Sequence, residues 1–443
     1  MPEQRLFNWV DLPDHARPFG GQIVIDNLRA NGCDVGDFNG NIDRILLISL
    51  YWCEDIYKLI VFRIRNKIKN VPIIAGGNYA SSSPNAVLPF VSGVYLGDAD
   101  NWDGADMSNI VTENKRAKLS ICEIGQIKLT MEAKAVAKDS FDIIELSRGC
   151  KYKCLYCQYS WMKPYRENDR EYIIKNIQDK NTSNRLRLTC ADLFQYNGFD
   201  EILEQARMNK IQIVNQDGAL NSIKYLNETN IEKTQRFGID GMSERLRKLV
   251  NKNITNDFLI ESILKYNILG VGRILAYNIF GYPTENKGDF EDWIKLLNRL
   301  IMEIKPPMTI VISWNAFIPM PLTPLQWTAT SYRKDIRDFR IMQDVRERAK
   351  KRGINILDMP QSTGGLLITQ RALAIRGSKK TANLIYNVAL NKKISEQQIM
   401  KEFHQKEGYD LHTEYPADID LPWDKFIDYD KNKLLKIYQS KIK

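Results

Sequence analysis

Residues 147–157 read Ser147-Arg148-Gly149-Cys150-Lys151-Tyr152-Lys153-Cys154-Leu155-Tyr156-Cys157. Three of the chain's seven cysteines fall in this stretch, at the spacing C-x3-C-x2-C, directly after a predicted strand. One such loop can wrap three thiolates around a compact metal centre. In an iron-sulfur cube each of the four irons needs one outside ligand, so three cysteines leave one iron open to a substrate. We therefore predict that Cys150, Cys154 and Cys157 ligate an iron-sulfur cluster.

Zinc is the alternative metal for a three-thiolate loop, and a histidine would complete its coordination. The histidines of the chain all lie far from the loop in sequence: His15, His404 and His412. The remaining cysteines are scattered: Cys33, Cys53, Cys122 and Cys190. An odd number of cysteines without regular spacing argues against a disulfide framework. Lys151 and Lys153 place positive charge beside the thiols, which favours their ionised, metal-binding form.

The cysteine loop resembles the radical S-adenosylmethionine (SAM) superfamily, whose C-x3-C-x-aromatic-C signature it matches in full, with Tyr156 as the aromatic residue. The resemblance implies a 4Fe-4S cluster whose unique iron chelates the amino and carboxylate groups of SAM. It also implies one-electron cleavage of the sulfonium, which yields a 5′-deoxyadenosyl radical that abstracts hydrogen from a substrate. Tyr156 would lie near the adenine.

Further stretches resemble SAM-contacting segments of the same superfamily. Residues 237–245 are similar to its Gly-Ile-Glu-Ser-Gly-Ser-Glu stretch, with Asp240 in place of the glutamate; a carboxylate there could accept hydrogen bonds from ribose hydroxyls. Ser243 belongs to the same stretch. Residues 280–285 resemble the fifth-strand turn in which backbone near a glycine, here Gly281, approaches the adenosine. The alternative for both segments is ordinary strand-to-helix turn chemistry.

The end of the second predicted barrel strand supplies one more expected contact. The family contacts the SAM amino group at this point, where the chain has Thr189-Cys190-Ala191-Asp192. Asp192 is the residue we expect to make that contact. Cys190 is expected to be a small buried thiol.

The fold class predicted from the sequence is α/β. Residues 1–100 alternate predicted strands at 5–10, 45–50 and 71–75 with helices at 22–30 and 56–68, which favours a Rossmann-like parallel sheet. From residue 141, six predicted strands interleave with helices as in a partial (β/α)6 barrel: 142–147, 185–190, 210–215, 234–239, 271–279 and 308–314. A hairpin around Gly125, at 118–131, would join the two parts. A mixed segment ends the chain.

The domain boundaries follow from this pattern. We expect a cobalamin-binding-like α/β domain at 1–115, a linker and hairpin at 116–140, a radical SAM partial barrel at 141–330, and an α-rich segment at 331–443.

An α/β domain ahead of a radical SAM barrel resembles the cobalamin-binding subgroup. Four stretches carry the likeness: 71–82, 97–100, 318–327 and 376–380. We expect Gly76, Gly77 and Asn78 to form the cobalamin site, because two glycines after a strand let backbone approach a ligand beyond the sheet's carboxyl edge. A tight turn without a ligand is the alternative.

The subgroup's Asp-x-His-x-x-Gly motif is missing from this chain. Asp14-His15 is its nearest counterpart, and we expect His15 to be a loop histidine rather than a cobalt ligand. The sequence therefore leaves cobalamin binding open. A methylthiotransferase would need a second three-cysteine cluster, and the spacing of Cys33, Cys53 and Cys122 does not match that family.

Composition indicates a folded, non-membrane protein. Hydrophobic residues make up 44% and charged residues 26% of the 443-residue chain, and no apolar run reaches the roughly 18 residues of a membrane helix. The start of the chain lacks a signal-peptide pattern. We therefore expect a cytoplasmic protein. The net charge of +9 permits an anionic partner, but the basic stretches at 63–69, 333–352 and 431–443 are interpreted as solvated helix faces.

Together these features predict a radical SAM transferase that modifies an unactivated carbon, by cobalamin-dependent methylation. The alternatives are a radical SAM hydrogen-abstraction enzyme without cobalamin, and a nucleic-acid-binding protein with a structural cluster. Expected partners are an electron donor such as flavodoxin or ferredoxin, and a substrate that is a small molecule, peptide or nucleic acid. No membrane partner is expected.

Overall fold

The computed structural model describes residues 5–12, 18–126, 128–132, 140–179, 184–214, 233–331, 336–362, 364–390 and 393–442. His15 lies outside these residues. The chain divides into two compact units. Unit one comprises the described parts of 1–122, 318–332 and 364–443, and unit two those of 123–317 and 333–363.

A six-stranded sheet organises the first part of unit one. The elements of this first part are β1 (Leu6–Val10), α1 (Phe19–Ala30), β2 (Asp34–Asp37), β3 (Ile45–Ser49), α2 (Asp55–Arg65), β4 (Ile73–Gly76), α3 (Asn78–Ser82), α4 (Pro84–Val87), β5 (Gly93–Tyr95), β6 (Ile110–Val111) and β7 (Ala117–Lys118), of which β1 to β6 form the sheet. The strand order is β2-β1-β3-β4-β5-β6. The first five strands run parallel, and β6 is antiparallel to β5. This parallel pairing confirms the predicted Rossmann-like sheet. Apolar runs such as Ile45–Ser49 suit strands that are buried on both faces.

The first sheet of unit two carries the cysteine loop. Its region contains β8 (Lys128–Glu132), β9 (Ser140–Glu145), β10 (Ser147–Arg148), α5 (Gln158–Met162), β11 (Arg166–Glu167), α6 (Arg170–Gln178), β12 (Arg185–Thr189), α7 (Phe199–Met208) and β13 (Gln212–Val214). The order is β13-β12-β9-β8, with β8 antiparallel to β9 and the other pairs parallel. α6 and α7 pack on this sheet through an apolar cluster that includes Ile173, Ile202 and Leu186.

The second sheet of unit two is wholly parallel, in the order β14-β15-β16-β17. Its elements are β14 (Thr234–Gly238), α8 (Glu244–Leu249), α9 (Asn256–Ile268), β15 (Arg273–Phe280), α10 (Lys287–Glu303), β16 (Met308–Ala316), α11 (Phe339–Lys351) and β17 (Ile354–Ser362). All six predicted barrel strands are present, as β9, β12, β13, β14, β15 and β16. Within the described residues they form two four-stranded sheets together with β8 and β17, rather than a closed barrel.

The helices and the strand that follow in the described residues belong to unit one: α12 (Gly365–Arg376), α13 (Ala382–Ala389), α14 (Glu396–Glu407), β18 (Ile427–Asp428) and α15 (Lys431–Ile442). Short 3-10 segments lie at Leu88–Phe90, Leu193–Gln195 and Lys379–Thr381. Among the described helices, none combines the length and the apolar character that crossing a membrane requires.

The predicted hairpin at 118–131 is wrong. β7 pairs in parallel with β18, at Ala117 and Ile427, whereas β8 pairs along its whole length with β9. The polar segment around Gly125 therefore connects two different sheets, because each of its strands finds a neighbour distant in sequence. The single α-rich segment expected at 331–443 is also divided, since α11 and β17 complete unit two while the following helices pack in unit one.

The motif residues near 318–327 and 376–380 build the interior of unit one. Arg376 is buried and donates to three backbone carbonyls, those of Thr328 (2.7 Å), Leu411 (2.9 Å) and Thr413 (2.7 Å). Its guanidinium also lies 4.2 Å from the centre of the Tyr415 ring. One side chain thus ties together segments that are far apart in sequence.

Candidate iron-sulfur and SAM site

The cysteine loop begins with a sharp turn that only glycine accommodates. Gly149 has φ +80°, and a Cβ at this position would lie 2.4 Å from the carbonyl oxygen of Pro164. Its N–H donates to the Tyr159 hydroxyl at 3.2 Å. Lys153 is also left-handed, with φ +51°, and Cys157 is the last residue before α5 begins. The backbone therefore curls between Cys150 and Cys157 and brings three thiols onto one short loop.

Backbone after α8 holds this loop in place. Leu155 N–H donates to the Val250 carbonyl at 2.9 Å, and the side-chain amide of Asn251 donates to the carbonyls of Tyr152 (2.7 Å) and Lys153 (3.2 Å). These bonds fix the loop's conformation before any metal binds, which is what a preformed ligand set requires.

The three thiols interact electrostatically with one another. Burial raises the pKa of Cys154 to about 12 and also raises the pKa of Cys157, and the neighbouring thiols contribute to both shifts. No trio of His, Cys, Asp or Glu within the described residues meets the geometry of a single-ion site. Three soft thiols on one loop suit an iron-sulfur cluster, whose positive charge would ionise them.

Lys252 and Asp240 form an ion pair beside the cysteines. Lys252 Nζ lies 2.7 Å from Asp240 Oδ2. Burial lowers the pKa of Lys252, but Asp240 and the Cys154 thiol outweigh this effect and raise it overall. The Tyr282 hydroxyl donates to the Asp240 carbonyl at 3.0 Å, which helps to hold Asp240 in its left-handed conformation at φ +59°.

Tyr156 lies in the same constellation as Asp240. Its ring centre is 6.2 Å from that of Tyr282. Burial raises the pKa of Tyr156, and the Asp240 carboxylate raises it further. The predicted residues Tyr156 and Asp240 are therefore brought together next to Cys154.

Lys252, and not the predicted Lys151 or Lys153, places positive charge near the Cys154 thiol. Lys151 Nζ binds Glu167 at 3.2 Å and the Gln195 carbonyl at 2.6 Å, while Lys153 Nζ contacts the Ser160 carbonyl. Among the cations, Lys252 is the one that acts on the pKa of Cys154. Spacing within the loop could not show this, because Lys252 reaches the site from the far end of α8.

Asp192 and Gln195 approach the loop from the end of β12. Gln195 Nε2 donates to Cys150 Sγ at 3.2 Å, and its Oε1 accepts from Lys151 N–H at 2.7 Å. Asp192 Oδ1 accepts from Phe194 N–H at 3.0 Å, whereas its buried Oδ2 lacks a hydrogen-bond partner among the described residues. Burial raises the pKa of Asp192. A buried acceptor of this kind suits a ligand's ammonium group.

Ser243 and Gly281 serve the protein itself in this structure. The buried Ser243 hydroxyl accepts from Leu246 N–H at 3.1 Å and donates to Asp289, so it caps α8. Gly281 N–H donates to Glu285 at 2.8 Å. Both residues were predicted to contact SAM, but their hydrogen bonds here stabilise strand-to-helix turns. This agrees with the alternative interpretation of the two segments.

Changing Asp240 to Asn should weaken SAM binding about ten- to hundredfold, because an amide replaces a charged acceptor. The cluster absorbance should stay unchanged, since Asp240 is not a ligand. Equilibrium dialysis of radiolabelled SAM with reconstituted protein measures the effect. Asp257→Asn, at an exposed carboxylate paired with Arg299, is the matched control. Equal SAM affinity in the two variants would remove Asp240 from the site.

The Gly76-Gly77-Asn78 turn at the end of β4 is explained by packing within unit one. A Cβ on Gly77, whose φ is +95°, would lie 2.6 Å from the Leu50 carbonyl oxygen. Tyr79 N–H, in the helix that Asn78 begins, donates to that same carbonyl at 3.1 Å. Gly77 is thus needed by the fold itself. A Cβ on Gly76 would meet nothing within 4 Å, so only this glycine of the pair faces open space.

Two exposed aromatic residues follow the neighbouring strand β3. Tyr51 is 48% and Trp52 60% exposed, and their ring centres lie 4.8 Å apart. Both backbone N–H groups donate to the buried carboxylate of Asp55, at 2.8 and 2.9 Å. The order β2-β1-β3 reverses direction between β1 and β3, and ligands of open α/β sheets bind at such a switch point. This pair was not among the predicted site residues; the pattern that could have indicated it is two adjacent aromatic residues soon after a buried strand.

Comparison with known proteins agrees with this site. Residues 144–297 match the family model described as the Radical SAM superfamily. Uncharacterized protein MJ0966 of Methanocaldococcus jannaschii is 25% identical over 348 residues, 72% of this chain and 76% of that protein. Two structures of the cobalamin-dependent S-adenosylmethionine radical enzyme OxsB, with aqua-cobalamin and with aqua-cobalamin plus S-adenosylmethionine bound, are 15% and 14% identical, each with a TM-score of 0.48. These matches cover 80% of this chain and span only 57% of the OxsB chain. The family-model match identifies residues 144–297 of this chain as a radical SAM domain.

Proposed function

We propose that this protein is a radical SAM enzyme that modifies an unactivated carbon of its substrate. The proposal is carried by the three-thiol loop and, beside it, by the Asp240–Lys252 pair and by Asp192 Oδ2, which has no hydrogen-bond partner within the described part of the chain. Cys150, Cys154 and Cys157 would hold a 4Fe-4S cluster, which would supply the single electron needed to cleave a C–S bond of SAM reductively into methionine and a 5′-deoxyadenosyl group able to take a hydrogen atom from the substrate.

The residues of the chain have separate tasks in this proposal. Cys150, Cys154 and Cys157 hold the cluster. Asp192 Oδ2 accepts a hydrogen bond from the amino group of SAM. Lys252 pairs with Asp240 Oδ2 and orients its carboxylate, which accepts hydrogen bonds from the ribose. The buried ring of Tyr282, which is tilted by 50° against that of Tyr156, excludes water from the same region.

SAM binding at the open iron can be tested by electron paramagnetic resonance. Reduced, reconstituted protein should give a cluster signal that changes on addition of SAM, because SAM then becomes an iron ligand. Methylthioadenosine, which lacks the amino and carboxylate groups, should leave the signal unaltered. A signal that saturating SAM does not change would overturn the proposal.

For the amino-terminal sheet, the proposal is that it binds a corrinoid and that the reaction is a methyl transfer. The strand-order reversal beside β3, the exposed Tyr51–Trp52 pair held by Asp55, and the open space at Gly76 support a site for a large flat ring.

The corrinoid site predicts which variants lose the cofactor. Protein mixed anaerobically with hydroxocobalamin and then gel-filtered should retain its visible spectrum. Trp52→Ala and Gly76→Phe should reduce retention about tenfold or more, whereas Tyr386→Ala, at an exposed ring on α13, should not. His15→Ala should also retain it. If wild type retains none, the corrinoid and methyl transfer are both contradicted, and hydrogen abstraction alone remains.

The proposed location is the cytoplasm. All seven cysteines are free thiols in the structure, which suits a reducing compartment and an oxygen-sensitive cluster.

A further inference from the structure

A small pocket opens at the amino ends of β4 and β5 in the first sheet. It has a volume of about 240 Å³, and its charged and polar side chains are Arg63, Lys69, Asn70 and Ser92. Apolar residues and prolines form the rest of the lining, and none of the described residues that line the pocket is acidic. Gly76 is the last residue of β4, so the pocket lies at the sheet edge opposite the proposed corrinoid site.

The chain around this pocket is basic. Residues 56–97 contain five basic side chains and not one acidic residue. Two carboxylates approach the same sheet edge, Asp43 before β3 and Glu113 after β6, but neither lines the pocket, and Glu113 binds Lys379 at 2.7 Å. Burial lowers the pKa of Arg63, and no carboxylate in the described part of the chain raises it again. An anion in the pocket would pair with this half-buried charge, which is costly to leave unpaired.

The polar side chains of the pocket have hydrogen-bond donors to spare. The Arg63 guanidinium donates to the carbonyls of Phe90 and Lys69, the second at 3.5 Å, which uses two of its five N–H groups. The Ser92 hydroxyl accepts from Ile73 N–H at 3.2 Å, so its own proton can still be donated. The described residues provide neither an acceptor nor an ion-pair partner for the Lys69 ammonium. This surplus of donors suits a ligand whose oxygens only accept.

The size and charge of the pocket define the class of ligand. Its volume lies below the roughly 300–1,000 Å³ of sites for drug-sized molecules, so it fits a group of a few heavy atoms. A carboxylate would bring one negative charge and two acceptor oxygens. A phosphate monoester brings about two negative charges and three acceptor oxygens. Two cations and a hydroxyl around one small space therefore match a phosphate better than a carboxylate.

We infer that this pocket binds a small soluble phosphate, either the inorganic ion or the monoester of a small molecule, through Arg63, Lys69 and Ser92. Binding is reversible, with no bond made or broken. The inference is independent of the proposed function, because the pocket shares no residue with the cysteine loop, the SAM site or the corrinoid site.

The test uses calorimetry at physiological ionic strength on the full chain with its cluster reconstituted. The probes are inorganic phosphate, glycerol 3-phosphate, and phosphatidylcholine vesicles that contain phosphatidic acid, and they distinguish the free ion, a soluble monoester and a lipid headgroup. Lys69→Gln removes one lining charge, and Lys69→Arg keeps it. Lys67→Gln is the matched control, because Lys67 is an exposed lysine of the same loop that does not line the pocket. Thermal unfolding checks that every variant is folded.

Wild type should bind at least one of the two soluble phosphates with a dissociation constant of about 1 mM or lower. Lys69→Gln should weaken this binding about tenfold, because a charged hydrogen bond is lost, whereas Lys69→Arg and Lys67→Gln should stay within about threefold of wild type. Equal losses in Lys69→Gln and Lys67→Gln would overturn the pocket in favour of a diffuse positive field. Absence of binding to wild type would also overturn it, and binding of the vesicles alone would overturn the soluble ligand.

Discussion

Replacing Cys150, Cys154 or Cys157 by alanine should abolish cluster binding in each case. Each thiolate ligates a different iron, so the remaining two cannot compensate. After anaerobic reconstitution, wild type should contain about four irons and four sulfides per chain, and each variant close to none. Iron and sulfide assays together with visible absorbance measure the loss.

Two other cysteines provide matched controls for this prediction. Cys122→Ala and Cys190→Ala remove thiols that lie outside the C-x3-C-x2-C loop, and both proteins should keep wild-type iron content. Full iron content in any of the three loop variants would contradict the ligand assignment. Stoichiometric zinc without visible absorption in wild type would contradict the cluster itself.

Replacing Arg376 by methionine should lower the free energy of unfolding by about 3–5 kcal/mol. The change leaves the carbonyls of Thr328, Leu411 and Thr413 without the donor they share in the interior, and unpartnered buried acceptors are costly. Urea unfolding followed by tryptophan fluorescence measures the difference.

Arg65→Met is the control for Arg376, because Arg65 is an exposed arginine at the end of α2 in the same unit. Its effect should stay within about 0.5 kcal/mol. A loss below about 1 kcal/mol for Arg376→Met would mean that water replaces the guanidinium at these carbonyls, and that the residue is not central to unit one.

Sequence periodicity was sufficient to predict a strand where the local pattern of apolar and polar residues is that of a strand. The six barrel strands were predicted as short β-like segments between helical ones, and each is present in the structure. β17 was missed because Asn355, Asp358 and Pro360 interrupt its apolar pattern, and Pro is uncommon inside a paired strand. Its formation depends on pairing with β16 along nearly its whole length, which local sequence does not encode.

In the candidate site, too, some residues could be predicted from local sequence and others could not. The loop spacing and Asp240 were readable as motifs, whereas Gln195 and Lys252 act through contacts made only after folding. Gln195 reaches Cys150 from a turn after β12, and Lys252 reaches Asp240 from beyond α8. Gly77 was correctly predicted to be a position where only glycine fits, but for the wrong reason. The group that approaches it is the carbonyl of Leu50 and not a ligand.

The release of 5′-deoxyadenosine tests the central claim most directly. Reconstituted protein would be incubated anaerobically with SAM and dithionite, and 5′-deoxyadenosine and methionine would be quantified by liquid chromatography and mass spectrometry. We expect wild type to form both products in equal amounts and Cys154→Ala to form neither. A wild-type cluster that is intact and fully reduced, yet releases no more 5′-deoxyadenosine than Cys154→Ala, would show that the cluster is structural and would contradict the account.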